Sequence, residues 1–219
     1  LVFRPDSERN TWSGWLTWCV ERRERYPVVL PEYGEARPGL VNPYWFVDRL
    51  SLGLAEGDIV TTANGTASVA YFQAAHVKTG QRVIWNSGCA AMGYGLSAAI
   101  GAAFAASRRV ICLEGDGSLQ MNLQELQTLV HYQLPVKLFV LNNNGYHSIR
   151  QTQENFFTPP LIGCDPGSGV SFPDLQKIAD AYGLPFIRIA GHEKLGEQIV
   201  SSLEEAGPSL CEIMVDPTQ

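Results

Sequence analysis

From Asn42 onward, stretches with apolar residues at helical spacing take turns with short runs that are apolar at almost every position. Runs of the second kind, VICL within 109–113 and KLFVL within 136–141, are short and nearly uniformly apolar, which predicts strands covered by helices on both faces. In chain order the pattern predicts a helix over 43–55, a strand over 59–62 and a helix after Asn64-Gly65. A strand over 82–85 and a glycine-rich turn then lead into an Ala/Gly-rich helix ending at Ala106. A strand over 109–113, a helix over 122–133 and a strand over 136–141 follow. After an irregular stretch come a helix over 173–182, a strand over 186–189, a helix over 194–205 and a strand over 209–215. This alternation implies an α/β fold, a doubly wound parallel sheet with helices on both faces. Ligands of such sheets sit beyond the carboxyl ends of the strands, so the chemistry is expected in the strand-to-helix turns.

The first forty residues break the rhythm. Trp12, Trp15 and Trp18 recur at helical spacing and a charged run, Glu21 to Arg25, follows them. This predicts a helix within 10–26 that packs its tryptophans onto a larger body. Pro27, Pro31, Pro38 and Pro43 then punctuate an extended connector. Residues 1–40 are accordingly expected to form a linker or arm with a Trp-bearing helix, and residues 41–219 the main domain. The sequence opens on Leu1, with neither an initiator methionine nor a signal segment, so a piece of a longer polypeptide is expected.

Composition narrows the function. A formal net charge of −6 with no basic run lacks the clustered positive charge that nucleic acid requires, so no nucleic-acid partner is expected. The longest mostly apolar stretch, 90–106, is too short and too glycine-rich for a membrane span and reads as a buried helix. Cys19, Cys89, Cys112, Cys164 and Cys211 are odd in number, widely separated and never form a C-x-x-C pair. Reduced thiols in a cytoplasmic protein are expected, not a disulfide framework or a zinc site.

The sharpest chemical signal is the turn after the 109–113 strand, Glu114-Gly115-Asp116-Gly117-Ser118. Two glycines let the backbone approach an anion closely, and the following helix offers free N–H groups. A carboxylate at the same place would repel a phosphate unless Asp116 held a divalent cation that the phosphate also coordinates. Taken alone, Asp116 reads equally as a helix cap. The next parallel strand ends in Asn142-Asn143-Asn144-Gly145-Tyr146, which brings further oxygen donors to the same sheet edge, Asn143 lying 27 positions after Asp116. An Asn-rich turn around Gly145 explains these residues singly, but not their pairing with Asp116. One carboxylate, one amide oxygen and one loop carbonyl suit Mg²⁺ and leave room for phosphate oxygens.

Gly115-Asp116-Gly117, twenty-four residues, then Asn142-Asn143 resembles the signature of the thiamine-diphosphate-dependent enzymes. The segments EGDGSLQMNLQELQTL and LPVKLFVLNNNGYHSIRQTQ are similar to the diphosphate-binding domain of the acetolactate-synthase-like group, and the likeness runs from about Asn10 to Asp216. The resemblance implies the thiamine-diphosphate-binding fold and a metal site of Asp116, Asn143 and the Gly145 carbonyl. It also implies cofactor contacts from Gly115, Gly117, Ser118 and Tyr146, with Gly117 and Ser118 meeting the diphosphate through backbone N–H and hydroxyl. The segment Ser87 to Gly95 resembles the turn that meets the aminopyrimidine ring through main-chain groups, Ala90 among them, with Met92 beneath the cofactor. Asn64-Gly65-Thr66-Ala67 aligns with the remaining diphosphate contacts, which implies roles for Gly65 and Thr66. Thr66 and Ala67 stand where the synthases proper usually carry Gln and His.

Thiamine diphosphate is a carbanion sink, so the resemblance implies a 2-oxo acid decarboxylase or carboligase, acetolactate-synthase-like. A non-catalytic cofactor-binding paralogue and a simple 2-oxo acid decarboxylase are the alternatives. The activating glutamate of the family belongs to a separate pyrimidine-binding domain, of the same or a partner chain, that nothing here matches. No catalytic residue is therefore assigned in this chain, and Glu114 and Glu125 are not given that role. His147 is a candidate substrate contact. His76, His131 and His192 are assigned surface or capping places. The resemblance further implies a homodimer or tetramer at full length, and FAD is compatible with a domain absent from this sequence. A nicotinamide-binding domain is excluded, because no G-x-G-x-x-G follows the first strand.

Overall fold

The computed structural model describes residues 12–35 and 37–217. Its strands are β1 (Ile59–Thr62), β2 (Arg82–Trp85), β3 (Val110–Gly115), β4 (Val136–Asn142), β5 (Phe186–Ile189) and β6 (Ser209–Met214). All neighbours pair in parallel, in the order β2-β1-β3-β4-β6-β5, so the expected parallel sheet is the one that forms. The helices are α1 (Ser13–Arg25), α2 (Pro43–Gly53), α3 (Thr66–Ala74), α4 (Tyr94–Ala106) and α5 (Asp116–Leu119). They continue with α6 (Leu126–His131), α7 (His147–Phe156), α8 (Leu175–Tyr182) and α9 (Leu195–Glu204).

Side chains alternate across a strand, and in β3 and β4 both sets are apolar. On one face Ile111, Leu113, Phe139 and Leu141 pack with Phe46 and Leu50 of α2, Tyr71 of α3, and Ile199 and Leu203 of α9. On the other, Val110, Cys112, Leu138 and Val140 pack with Leu96 and Ala99 of α4, Leu129 of α6 and Ala179 of α8. The sheet is thus a wall between two separate cores, and the turns at its carboxyl edge are anchored from both sides.

Local chemistry sets the entry to this body. Asn42 caps α2, its side-chain oxygen accepting from the Tyr44 and Trp45 N–H groups, and Pro43 follows at the first helical position. His192 is not a plain surface or capping residue. Its Nε2 accepts from the Asn42 N–H at 3.1 Å, so its Nδ1 carries the proton donated to the Gly34 carbonyl at 3.0 Å. A neutral imidazole therefore pins the proline-rich connector to the loop after β5.

Three sequence expectations need correction. The tryptophans at the start of and within α1 are not buried on the body: Trp12, Trp15 and Trp18 are 49%, 57% and 47% exposed. Trp15 and Trp18 stack on each other at 5.1 Å, the Arg22 guanidinium covers Trp18, and α1 buries none of its residues. The 90–106 stretch becomes helical only at Tyr94, because Ala90 and Gly93 take positive φ, and α4 buries one face while Phe104 stays exposed. The helix expected over 122–133 is broken: a 3₁₀ turn over 120–125 with Asn122 at φ −136° separates α5 from α6. There the Asn122 amide donates to the Gly93 carbonyl and the Ser97 hydroxyl, so the break is bought with contacts to the turn before α4.

Phe139 is fully buried and its ring meets Phe46 at 5.7 Å. Phe139→Ala is expected to cost about 3–5 kcal/mol of stability by urea denaturation, the usual cost of an aromatic cavity in a core. A loss under 1 kcal/mol would mean that this core does not carry the sheet.

Candidate functional site

β1 connects through α3 to β2 on one side of the sheet, whereas β3 connects through α5 and α6 to β4 on the other. The turns after β1 and β3 therefore diverge and leave a crevice at the carboxyl edge, where α/β sheets bind ligands. A cleft of about 160 Å³ lies there. Gly65, Thr66, Met92, Gly115, Asp116, Gly117, Ser118, Asn143, Gly145 and Tyr146 line it, together with His147. Of the contacts expected from sequence, Ala90 alone does not line it. Ala90 sits just behind, at φ 48°, and its carbonyl accepts from the Asn64 side chain at 2.9 Å.

Asp116 is 3% exposed at the end of β3. Its Oδ1 accepts from the Gly117 N–H and its Oδ2 from the Gly145 N–H, each at 3.0 Å. Burial outweighs these bonds and pushes the carboxyl up to about 6. Beside it Asn143 is 7% exposed; its amide reaches the Thr66 hydroxyl at 3.5 Å, and its Oδ1 has no hydrogen-bond partner. Gly145 has φ 148°, and a Cβ there would lie 2.2 Å from the Cys164 carbonyl oxygen, so only glycine lets this loop close against its neighbour. The Tyr146 N–H then donates to that same carbonyl at 2.8 Å, and its ring covers Gly117 and packs edge-on against Phe172.

The Ser118 hydroxyl faces inward. It accepts from the Gly93 N–H at 2.8 Å, which ties the turn after β3 to the turn before α4. His147 opens α7, a helix that sequence reading left as an irregular stretch. Arg150 can only donate, so His147 Nδ1 accepts from it at 3.0 Å and the neutral ring carries its proton on Nε2. Burial, and then the Arg150 charge, hold this imidazole below its ordinary range. His147 lines the cleft wall, with the Pro217 carbonyl as a further neighbour that partly opposes this shift.

Sequence reading passed over Glu114 as a functional residue. It is fully buried, its Oε1 accepts from the Leu96 N–H at 2.9 Å, and its Oε2 has no partner. Burial raises its carboxyl to about 7, with the Ser118 hydroxyl and the α4 amides pulling partly back. A lone charge closing the apolar run VICLEG was the signal that it needed a partner across the sheet edge.

Residues 63–213 match the family described as thiamine pyrophosphate enzyme, C-terminal TPP binding domain. The chain belongs to this family. It is similar to the acetolactate synthase large subunit of Parasynechococcus marenigrum strain WH8102, 32% identical over 205 residues that cover 93% of this chain and 32% of the relative. The large subunit of Cyanidium caldarium is 31% identical over 209 residues, covering 95% of this chain and 34% of its own. Chloroplastic acetolactate synthase 3 of Brassica napus is 31% identical over 222 residues, covering 98% and 33%. The chain spans about a third of the length of these relatives. Membership in the family makes thiamine diphosphate the cofactor to test against the cleft. A buried carboxylate whose charge is disfavoured by burial, an amide oxygen left without a donor and a glycine-shaped loop are what a cation bearing a diphosphate would complete.

The folded state keeps the Glu114 proton that the unfolded chain releases near pH 4.5, so this group's stabilisation is lost as pH rises from there to about 7. Glu114→Gln stays neutral throughout. In metal-free urea denaturation the variant is expected to gain on the parent by at most about 1.4 kcal/mol per pH unit across that window, then level off. A stability gap independent of pH would show that Glu114 is ionised normally.

Proposed function

We propose that residues 41–219 are the diphosphate- and Mg²⁺-holding domain of a thiamine-diphosphate-dependent 2-oxo acid decarboxylase or carboligase, acetolactate-synthase-like, with residues 1–40 as its arm. The observation that carries the reading is the unpartnered Asn143 Oδ1 beside the buried Asp116 carboxylate. Asp116, Asn143 and the Gly145 carbonyl would hold Mg²⁺, and Gly65, Thr66, Gly115, Gly117 and Ser118 would surround the diphosphate. Ala90, Met92 and Tyr146 would meet the rest of the cofactor. Bound there, thiamine diphosphate supplies the carbanion-stabilising centre on which 2-oxo acid chemistry depends.

The chain's own residues orient and enclose. Asp116 would neutralise part of the cation's charge, and the Gly117 and Gly145 N–H groups fix its two oxygens. His147 would offer Nε2–H to the substrate. Among the described residues Asp116 is the one carboxylate lining the cleft, and Glu114 is sealed behind the turn, so none is left to activate a pyrimidine ring. The cleft is also well below the 300–1,000 Å³ usual for a ligand pocket. Both points support a second wall, a pyrimidine-binding domain of the same or a partner chain in a homodimer or tetramer, with any FAD held outside this domain. The likeness to acetolactate synthase large subunits favours transfer to an acceptor over simple decarboxylation, which product analysis with pyruvate separates. The free cysteines are in keeping with a reducing compartment, the cytoplasm in our reading, and no helix among the described residues is long and apolar enough to cross a membrane.

Calorimetric titration tests the site. Thiamine diphosphate is expected to bind only with Mg²⁺ present, and Asp116→Ala to weaken that binding by about a hundredfold or more, beyond the range for outer-shell residues. Metal-independent binding, or unchanged affinity in a folded Asp116→Ala variant, would overturn it.

A further inference from the structure

The cleft explains Asn143 and Gly145, but not the buried charge beneath them. Glu212 lies in the middle of β6, 2% exposed, in a strand otherwise apolar around it. Burying a carboxylate is costly unless both oxygens are served. Its Oε2 accepts from Arg188 Nε, the residue in register with it on the edge strand β5. Arg188 in turn reaches Asp174, the cap of α8, at 3.5 Å. The other oxygen, Oε1, accepts from the Asn142 side-chain amide at 2.7 Å.

Asn142 passes this contact on. Its Oδ1 accepts from the Asn144 N–H at 2.9 Å, so only one orientation of the amide satisfies both ends. Asn144 has φ 61°, a conformation unusual for a residue with a side chain and kept only where the surroundings enforce it. One residue later, the Gly145 N–H donates to Asp116 Oδ2. The backbone is therefore fixed on both sides of Asn143, whose Oδ1 is the atom left open.

The geometry points to Glu212, held by Arg188, as a positioning residue that sets the Asn143–Gly145 loop for metal binding through Asn142. This rests on the proposed metal site, and a relay from an edge-strand arginine to a metal loop is the addition. A purely structural Glu212 would need only its ion pair; here the second oxygen serves the loop.

The test titrates Mg²⁺ by calorimetry into the full chain in the presence of excess thiamine diphosphate, alongside hydrogen exchange of the Asn144 amide without metal. Glu212→Ala and Asn142→Ala are each expected to raise the Mg²⁺ half-saturation about tenfold, as loss of an outer-shell partner does. Glu212→Gln keeps an acceptor for Asn142 although its amide NH2 then faces the Arg188 Nε–H, and should lose less than Glu212→Ala, about threefold, because the arginine is 39% exposed and can turn to water. Asn142→Ala leaves the Glu212–Arg188 pair intact, so a folded variant is available even if Glu212→Ala unfolds. Asn144 exchange should quicken about tenfold in both alanine variants, the worth of one hydrogen bond. Wild-type Mg²⁺ affinity in the folded alanine variants, or equal losses for Glu212→Gln and Glu212→Ala, would overturn the relay. A parent chain that binds no Mg²⁺ would overturn the metal site instead, and unchanged Asn144 exchange would then still dismiss the relay on its own.

Discussion

One carboxylate taken out of water organises the carboxyl edge of this sheet. Asp116 lies where β3 ends, and burial there disfavours its charged form. Amide donors from Gly117 and Gly145 serve it, and among the described residues no cationic side chain forms an ion pair with it. Donors from two successive strand ends can reach one carboxylate only if both loops are shaped to it. That requirement explains the glycine at 145 better than any local turn preference, since the loop closes to within a Cβ's reach of the Cys164 carbonyl. The charge balance also bears on how an acidic chain could suit a diphosphate: under the proposed function, local positive potential would come from backbone N–H groups and a cation rather than from Lys or Arg.

The sheet makes that arrangement possible. β3 and β4 are buried on both faces, so their register is fixed by two cores at once and their ends cannot slide relative to each other. The reversal of strand order between β1 and β3 then opens space beside Asp116 that no crossover fills. Precision at the site is thus inherited from packing several residues down the strands, and the connecting loops add only the last few ångströms.

Most of this was legible in the sequence because apolar periodicity reports burial. The strands at 59–62, 82–85 and 186–189 fall where their short apolar runs place them, and both asparagine- and aspartate-bearing turns lie at the same edge as expected. What periodicity could not show lies where burial is not the cause. α7 reads as loop because its segment, HSIRQTQENF, is polar and buries no residue. The break at Asn122 arises from side-chain hydrogen bonds to residues about thirty positions earlier, a cause with no local signature. The tryptophans of α1 look like core by composition, yet the proline connector separates them from the sheet and they stack on each other. Glu114 and Glu212 are buried carboxyl groups inside apolar runs, visible in the sequence as exceptions whose partners only the fold supplies.

Those exceptions carry the geometry of the cleft. The wall bearing Met92 and the wall bearing Asp116 belong to different crossovers, and nothing in the sheet register fixes one against the other. Glu114 does so from beneath: its Oε1 accepts from Leu96, and a Cβ on Gly95 would come within 2.6 Å of that oxygen. Ser118 and Asn122 bond to Gly93 from the other side, and the Thr61 hydroxyl donates to the Gly95 carbonyl from β1. The start of α4 is thus held from β1, β3, α5 and the 3₁₀ turn, and loss of the buried groups among these, Thr61, Glu114 and Ser118, would strand donors and acceptors away from water. Apolar packing would have tolerated a shift of such a turn; directional bonds to buried partners do not. A site assembled from several crossovers can therefore be pre-shaped before any ligand arrives, and this is why the polar residues inside these apolar strands belong to the site as much as those that face it.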